Sequence, residues 1–259
     1  MNVVVCIKQV PAKSVPLAAS GALDRSAAGG RLNPRDLFAL EAGLRIAEET
    51  GGRVTALTMG PKSAEDCLKT ALSMGAEEAV LLCDRAFAGA DVYATAHTLS
   101  RGIQLLEAAD LVVCGQQTTD GDTAQLPFAL GARLGIPAVG WVKKLEKIER
   151  GQLVVTQELS LGTQRSRLCC PCVLAVGEEI GAVRIPTLRD QLKARKKTVR
   201  VLTLEDLGGS AEDYGQSASP TRVCSTHEVR QEQKAEPRAL PADEAAALLL
   251  NACRKGEQR

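Results

Sequence analysis

DLVVCGQQTTDGDTAQ, residues 110–125, is the stretch on which the fold turns. A strand, Asp110 to Cys114, runs straight into a polar loop, Gly115 to Gln125, and from there into a helical pattern that begins near Asp122 and ends by Gly135. Strand, polar loop and helix in this order build parallel sheets, whose ligands sit beyond the carboxyl ends of the strands. Gly115 and Gly121 permit close backbone approach, and the N-terminal amides of the next helix can hold a phosphate. Asp120 and Asp122 repel a phosphate; they suit capping the helix, orienting the loop or accepting from ribose hydroxyls. No GxGxxG or Walker A pattern sharpens the assignment, so the loop reads either as a nucleotide cradle or as a capped turn between strand and helix.

Working outward, the first half repeats the same alternation. Asn2 to Ile7, Arg53 to Thr58, Ala79 to Cys83 and Asp110 to Cys114 are apolar runs of the kind buried on both faces. Between them Asn33 is placed to cap a helix with Pro34 at its first position, Asp36 in its first turn and Leu37, Leu40 and Leu44 on one face. Ser63 and Asp66 have capping-box spacing ahead of Cys67, Leu68, Ala71 and Leu72. Val92, Ala96, Leu99, Ile103 and Leu106 mark a third helix. Three further strand ends converge on the crevice: Cys6 to Val10, the Asn33-Pro34 helix start, and Met59-Gly60-Pro61. After Pro137 shorter β-like pieces follow, Val139 to Leu145, Leu153 to Leu159, Arg165 to Cys170 and Cys172 to Val176, which predict a mixed or antiparallel extension of the sheet. Arg184 to Lys197 is basic and weakly helical, and Val199 to Leu202 is a strand. Residues 208–220 have linker composition, and a helix around Asp243 to Lys255 carries an Ala and Leu face that needs either a partner subunit or its own sheet to cover it.

Composition excludes several functions. The 259 residues carry 32 basic and 31 acidic side chains, a formal charge of +1, which leaves no field to gather nucleic acid. Aromatic residues are 2% of the chain, too few for a base-stacking surface. Nine cysteines without disulfide spacing predict a reduced, cytoplasmic protein, and no run is long and apolar enough to span a membrane or to resemble a secretory signal. Cys169-Cys170-Pro171-Cys172 invites a metal or redox reading, but strand neighbours point to opposite faces, so at most two share a side; buried thiols acting as small apolar groups are the favoured reading. His97 is expected to be a surface or satisfied residue, and His227 and the lone Trp141 are weak signals. No nucleophile, acid–base or metal-ligand constellation stands out, and no catalytic side chain is assigned.

The ordered blocks VVVCIKQVP, LNPRDLFALEAGLRIAEETGG, LTMGP, ALSMGAEEAVLL, GQQTTDGDTAQ and RIPTLRDQLKARKK resemble the beta (small) subunit of electron transfer flavoprotein over residues 1–207. The resemblance implies a Rossmann-like, adenine-nucleotide-binding α/β domain that pairs with a larger alpha subunit holding most of a redox FAD. It implies a second nucleotide in this subunit, either AMP or, in electron-bifurcating members, FAD that takes a hydride from NADH, with ferredoxin as a low-potential acceptor. The matching pocket positions are Cys6, Asn33, Met59, Gly115, Gln116, Gln117, Thr118, Thr119, Asp120, Gly121, Asp122, Thr123 and Gln125. Asp120 to Gln125 resembles the bifurcating version, which favours FAD; AMP is the alternative. Val183 to Lys197 resembles the segment that docks on acyl-CoA dehydrogenases of fatty acid β-oxidation, with Leu188 as anchor and Arg189, Lys193, Arg195 and Lys196 around it. A solvated basic helix is the plainer reading of those residues. Pro127, Gln164 and Arg35 depart from the family pattern. The expected organisation is a nucleotide-binding domain over 1–207, a linker over 208–220, and an arm over 221–259 that packs on the alpha subunit. A nucleotide-binding regulatory protein of the universal-stress type, working as a homodimer, is the rival reading from another functional class.

Overall fold

The computed structural model describes residues 1–13, 29–224 and 239–256. In chain order the first units are β1 (Asn2–Cys6), the short strands β2 (Gln9–Pro11) and β3 (Gly30–Leu32), α1 (Pro34–Thr50) and β4 (Arg53–Met59). Next come α2 (Glu65–Met74), β5 (Glu78–Leu82), α3 (Val92–Gln104), β6 (Leu111–Gly115) and α4 (Leu126–Leu134). The remainder is β7 (Ala138–Glu149), β8 (Gln152–Leu159), β9 (Gly162–Cys169), β10 (Cys172–Val176), α5 (Leu188–Lys196), β11 (Arg200–Leu202), α6 (Leu204–Leu207) and α7 (Ala242–Gly256).

Nine strands form one sheet in the order β11-β5-β4-β1-β6-β10-β7-β8-β9. All neighbours are parallel except β7–β8 and β8–β9, which are antiparallel. The α/β sheet with a mixed extension therefore stands as expected. Alternation along β1 sends Val3 and Val5 to one face, under α1 and α2, and Val4 and Cys6 to the other, under α3 and α4. Such double burial explains why the central strands read as unbroken apolar runs.

Four local expectations change. Cys172–Val176 is not an outlying antiparallel piece: β10 lies between β6 and β7, parallel to both and wholly buried, and its five apolar residues suit that place. Ser63 forms no capping box; its hydroxyl donates to Gln9 Oε1, a short turn covers Lys62–Ala64, and α2 opens at Glu65. Helix α4 starts at Leu126 rather than near Asp122, because Asp122 and Ala124 take left-handed backbone angles (φ 49° and 52°) that no helix accepts.

Residues 208–220 pack onto the domain instead of linking it to an arm. Tyr214 is buried with its ring 5.2 Å from that of Phe87 and its hydroxyl donating to Gly208 O, while Ser219 and Thr221 bond the Asp91 end of α3. One of only two tyrosines thus supplies an anchor that composition alone concealed. Residues 1–225 form one compact unit, and α7 belongs to a second, 226–259, in which Leu248, Leu249 and Leu250 are exposed. His227 lies outside the described residues.

Candidate functional site

Parallel strands β1, β4 and β6 end side by side, with Cys6 in register with Leu57 and Cys114. The chain beyond those ends is polar, and it converges. Asn33, fully buried ahead of α1, does not cap the helix as its position suggested. Its amide turns to the loop after β6: Nδ2 donates to Gln117 O (3.1 Å) and to Asp36 Oδ1 (2.9 Å), and Oδ1 accepts from Thr119 N–H (3.3 Å). Pro34 starts the helix without a side-chain cap, which leaves that amide free for the loop.

Asp36 is the second centre. Its Oδ2 accepts the backbone N–H of Lys8 at 2.7 Å, and burial pushes its carboxyl up to about 7 against the opposing pull of Asn33, Lys8 and the Gly115 N–H. An ideal Cβ on Gly115 would stand 2.3 Å from Asp36 Oδ1 and 3.0 Å from the Arg35 carbonyl carbon, so only glycine lets the strand end close on the carboxylate. Lys8 Nζ reaches over the loop to Asp120 Oδ1 (2.8 Å). Burial opposes ionisation of Asp120, but the Lys8 ammonium, Thr118 hydroxyl and Gly121 N–H hold its carboxyl below the usual range. Gln116 is buried with its N–H on Val176 O, and the Gln9 side chain ties the β1 end to Ser63 O (2.9 Å).

Of the thirteen expected pocket residues, hydrogen bonds join Asn33, Gln117, Thr118, Thr119, Asp120, Gly121 and Asp122 into one unit with Gly115 at its root. Gln116 lines its base, and Thr123 and Gln125 are exposed at the rim. Met59 is half-buried at the end of β4. Cys6 lies beneath the crevice, where its thiol pairs with that of Cys114, so only its backbone can border a ligand. Sequence reasoning passed over Lys8, Asp36 and Ala124. Lys8 could have been found as the first polar residue past a strand end; Asp36 was placed only in the first turn of its helix.

A nucleotide needs donors, room and partners for its polar groups, and the residues fit that need. Among the described residues no acceptor takes the N–H of Thr123 or Ala124, and the left-handed angles of Asp122 and Ala124 turn successive amides about the exposed loop tip. Thr58 Oγ1, buried near the end of β4, has no hydrogen-bond partner among the described residues. Against these, Pro127 in the first turn of α4 removes one N–H.

The docking candidate is built differently. Arg184 Nε and Nη2 bind Glu41 as a fork (2.8 and 3.0 Å), its backbone N–H adds a third bond to Glu41, and Nη1 reaches Glu48 at 2.6 Å. Burial resists ionisation of Glu41, yet the Arg184 contacts keep its carboxyl below the usual range; Glu48 is lowered by the same guanidinium, whose own value rises. Beyond that root Thr187 and Asp190 form a capping box, so the weakly helical segment is a defined helix, α5. Leu188 is 72% exposed, flanked by Ile185 at 90% and Leu192 at 50%, with Arg189, Lys193, Arg195 and Lys196 all exposed around them.

Cys170 and Cys172 share a side, with thiols hydrogen-bonded to each other, while Cys169 faces solvent; no three His, Cys, Asp or Glu converge as metal ligands among the described residues. His97 stacks 5.1 Å from Tyr214, and burial with neighbouring Arg133 and Arg101 lowers its value. No helix among the described residues is long and apolar enough to cross a membrane.

The electron transfer flavoprotein domain family matches residues 20–207. The electron transfer flavoprotein subunit beta of Thermoanaerobacterium thermosaccharolyticum is 41% identical, over 91% of each chain. Subunit CarD of the caffeyl-CoA reductase-Etf complex of Acetobacterium woodii is 39% identical over 86% of each chain. Protein FixA of Azorhizobium caulinodans is 38% identical over 86% of this chain and 83% of its own.

Proposed function

Because this chain belongs to the electron transfer flavoprotein family, on its beta-subunit branch, we propose that its crevice binds FAD and that it transfers electrons as one half of a heterodimer with an alpha subunit. The observation that carries the nucleotide assignment is the loop after β6, held by Asn33 and Lys8, with the N–H groups of Thr123 and Ala124 taken by no acceptor among the described residues. Glycine at 121 leaves room for a pyrophosphate, and Lys8 offsets the charge of Asp120 that would otherwise repel it.

A bound flavin supplies the hydride and one-electron chemistry. This chain's residues bind and orient it: Asn33 and Gly115 fix the loop, the loop amides meet phosphate oxygens, and the buried strand ends close the crevice to water from below. No acid, base or nucleophile of this chain is required. In a bifurcating arrangement the donor is NADH, and the electrons divide between the alpha-subunit FAD and a low-potential acceptor such as ferredoxin. The exposed Ile185, Leu188 and Leu192, ringed by basic side chains, form the face that meets an acyl-CoA dehydrogenase-type flavoenzyme. Helix α7, with Leu248 to Leu250 exposed, packs on the alpha subunit.

A second reading, AMP as a structural nucleotide beside a single redox FAD, is favoured by Pro127, which removes a phosphate-facing N–H. Chromatography of the nucleotides freed on denaturing the heterodimer decides. Two FAD per heterodimer supports the first reading and one FAD with one AMP the second; a single FAD with no other nucleotide overturns the pocket assignment.

A further inference from the structure

Three elements meet at one buried carboxylate. Lys8 N–H at the end of β1, Asn33 Nδ2 ahead of α1 and Gly115 N–H at the end of β6 all point to Asp36. Every one of these neighbours is a donor. Asn33 then relays the contact, since the amide that gives a hydrogen to Asp36 also gives one to Gln117 O and receives one from Thr119 N–H. Flipped by half a turn, that amide would set its oxygen against two acceptors and its NH2 against the Thr119 donor. Asp36 therefore selects the single amide orientation that suits the loop.

Resting on the nucleotide-binding reading above, we propose that Asp36, acting through Asn33 and Gly115, is the positioning residue that holds loop 115–121 ready for the nucleotide, and that it does so only as a carboxylate. Ionised, it is acceptor-only and matches three donors. Protonated, the oxygen that takes the hydrogen accepts more weakly and its O–H faces only donors, which loosens the Asn33 relay.

The charge has a thermodynamic signature. Burial holds Asp36 at about 7 in the folded chain against 3.8 for a free aspartate, so between these values the folded state binds the extra proton. The stability this residue contributes is present at acid pH and is lost as pH rises through about 7. Nucleotide binding runs the other way, strengthening as the group ionises. The charged and titratable groups facing it are Lys8 from the β1 end, Cys67 from α2 and Cys114 from β6. Burial pushes Cys67 up to about 11 and contact with Cys6 and burial push Cys114 upward, so neither thiol titrates in the window that matters.

The test uses the full chain in complex with its alpha subunit and FAD as the probe, whose pyrophosphate keeps its charge across the range. Hydrogen exchange of peptides covering residues 115–125 reports binding at this site alone. For the unaltered protein, half-protection should need about thirty-fold more FAD at pH 5.5 than at pH 8.5, the inverse of the ionised fraction of a group near 7. Asp36→Asn should bind weakly with a flat profile, and its melting temperature relative to the unaltered protein should rise with pH. Asn33→Ala keeps the carboxylate but cuts the relay; it should bind weakly while retaining the pH slope of melting, and it serves if Asp36→Asn fails to fold. Equal protection with an equal pH profile in the unaltered protein and either variant overturns the positioning role. If FAD leaves residues 115–125 unprotected in the unaltered protein, the nucleotide reading itself fails.

Discussion

The crevice and the docking segment are both held by acidic residues of α1, yet they are built on opposite principles. At the crevice, Asp36 is buried without a buried cation, and its bonds are to backbone and amide N–H groups. At the docking root, Glu41 and Glu48 are matched by a fork from Arg184, and the functional side chains beyond them stand in solvent. A ligand cradle needs a fixed backbone shape, which directional hydrogen bonds supply. A docking surface needs only its base fixed, so that an apolar anchor is offered without loss of solvation elsewhere. One helix thus anchors both candidate sites along its length, Asp36 at its first turn and Glu48 near its last.

The sharpest way to break the comparison is Gly115→Ala. The added Cβ meets Asp36 Oδ1 and Arg35 backbone, neither of which is a flexible end, so a loss of about 2–3 kcal/mol in urea unfolding is expected, together with loss of the crevice nucleotide. A smaller change would mean that the strand end can retreat and that the contact with Asp36 is not tight.

Arg184→Ala comes next. It strands the nearly buried Glu41, and because Arg184 itself is about one-third exposed the expected cost is reduced to about 2 kcal/mol. The crevice nucleotide should be retained, while amide exchange in α5 accelerates. The same ion pairs have a pH sign opposite to that of Asp36: the folded values of Glu41 and Glu48 are depressed, so their stabilisation is present above about 4.5 and lost as pH falls further. Unfolding midpoints between pH 3 and 6 should lose that slope in the Arg184 variant; retention of the full slope would assign the acid sensitivity elsewhere.

Leu188→Ala should have the smallest effect on the chain itself, within about 0.5 kcal/mol, because the side chain is mostly in water. Its effect should fall on electron transfer to a dehydrogenase partner, read as a raised KM with the nucleotide content unchanged. A stability loss well above that figure would show that Leu188 packs at home and is not an anchor.

The central strands and their helices were legible because β1, β4, β5 and β6 are buried on both faces, and double burial writes itself as an unbroken apolar run. The same rule misled at β10, whose run is equally apolar: sequence placed it after three short β-like pieces of a mixed or antiparallel extension, and nothing local says that it slots between β6 and β7. Residues 208–220 looked like a linker because Gly and Ser dominate them, while one buried tyrosine decides their fate. At the crevice the loop was found from its place at a strand end. Asn33 was placed at the crevice, but its amide was read as a cap, and Asp36 was missed, because which way a short polar side chain turns depends on donors far away in the chain.

By itself, then, the sequence determined the winding of the parallel sheet, the end of it at which the polar loops gather, and the family to which six ordered blocks assign the chain, since periodicity, turn residues and block order are local properties. Tertiary structure alone decided that Gly115 must close on Asp36, that Asn33 serves the loop and not the helix, and that Arg184 roots the docking segment on α1. Each of those depends on residues 79 to 143 positions apart in the chain coming together, a relation that only the packed sheet creates.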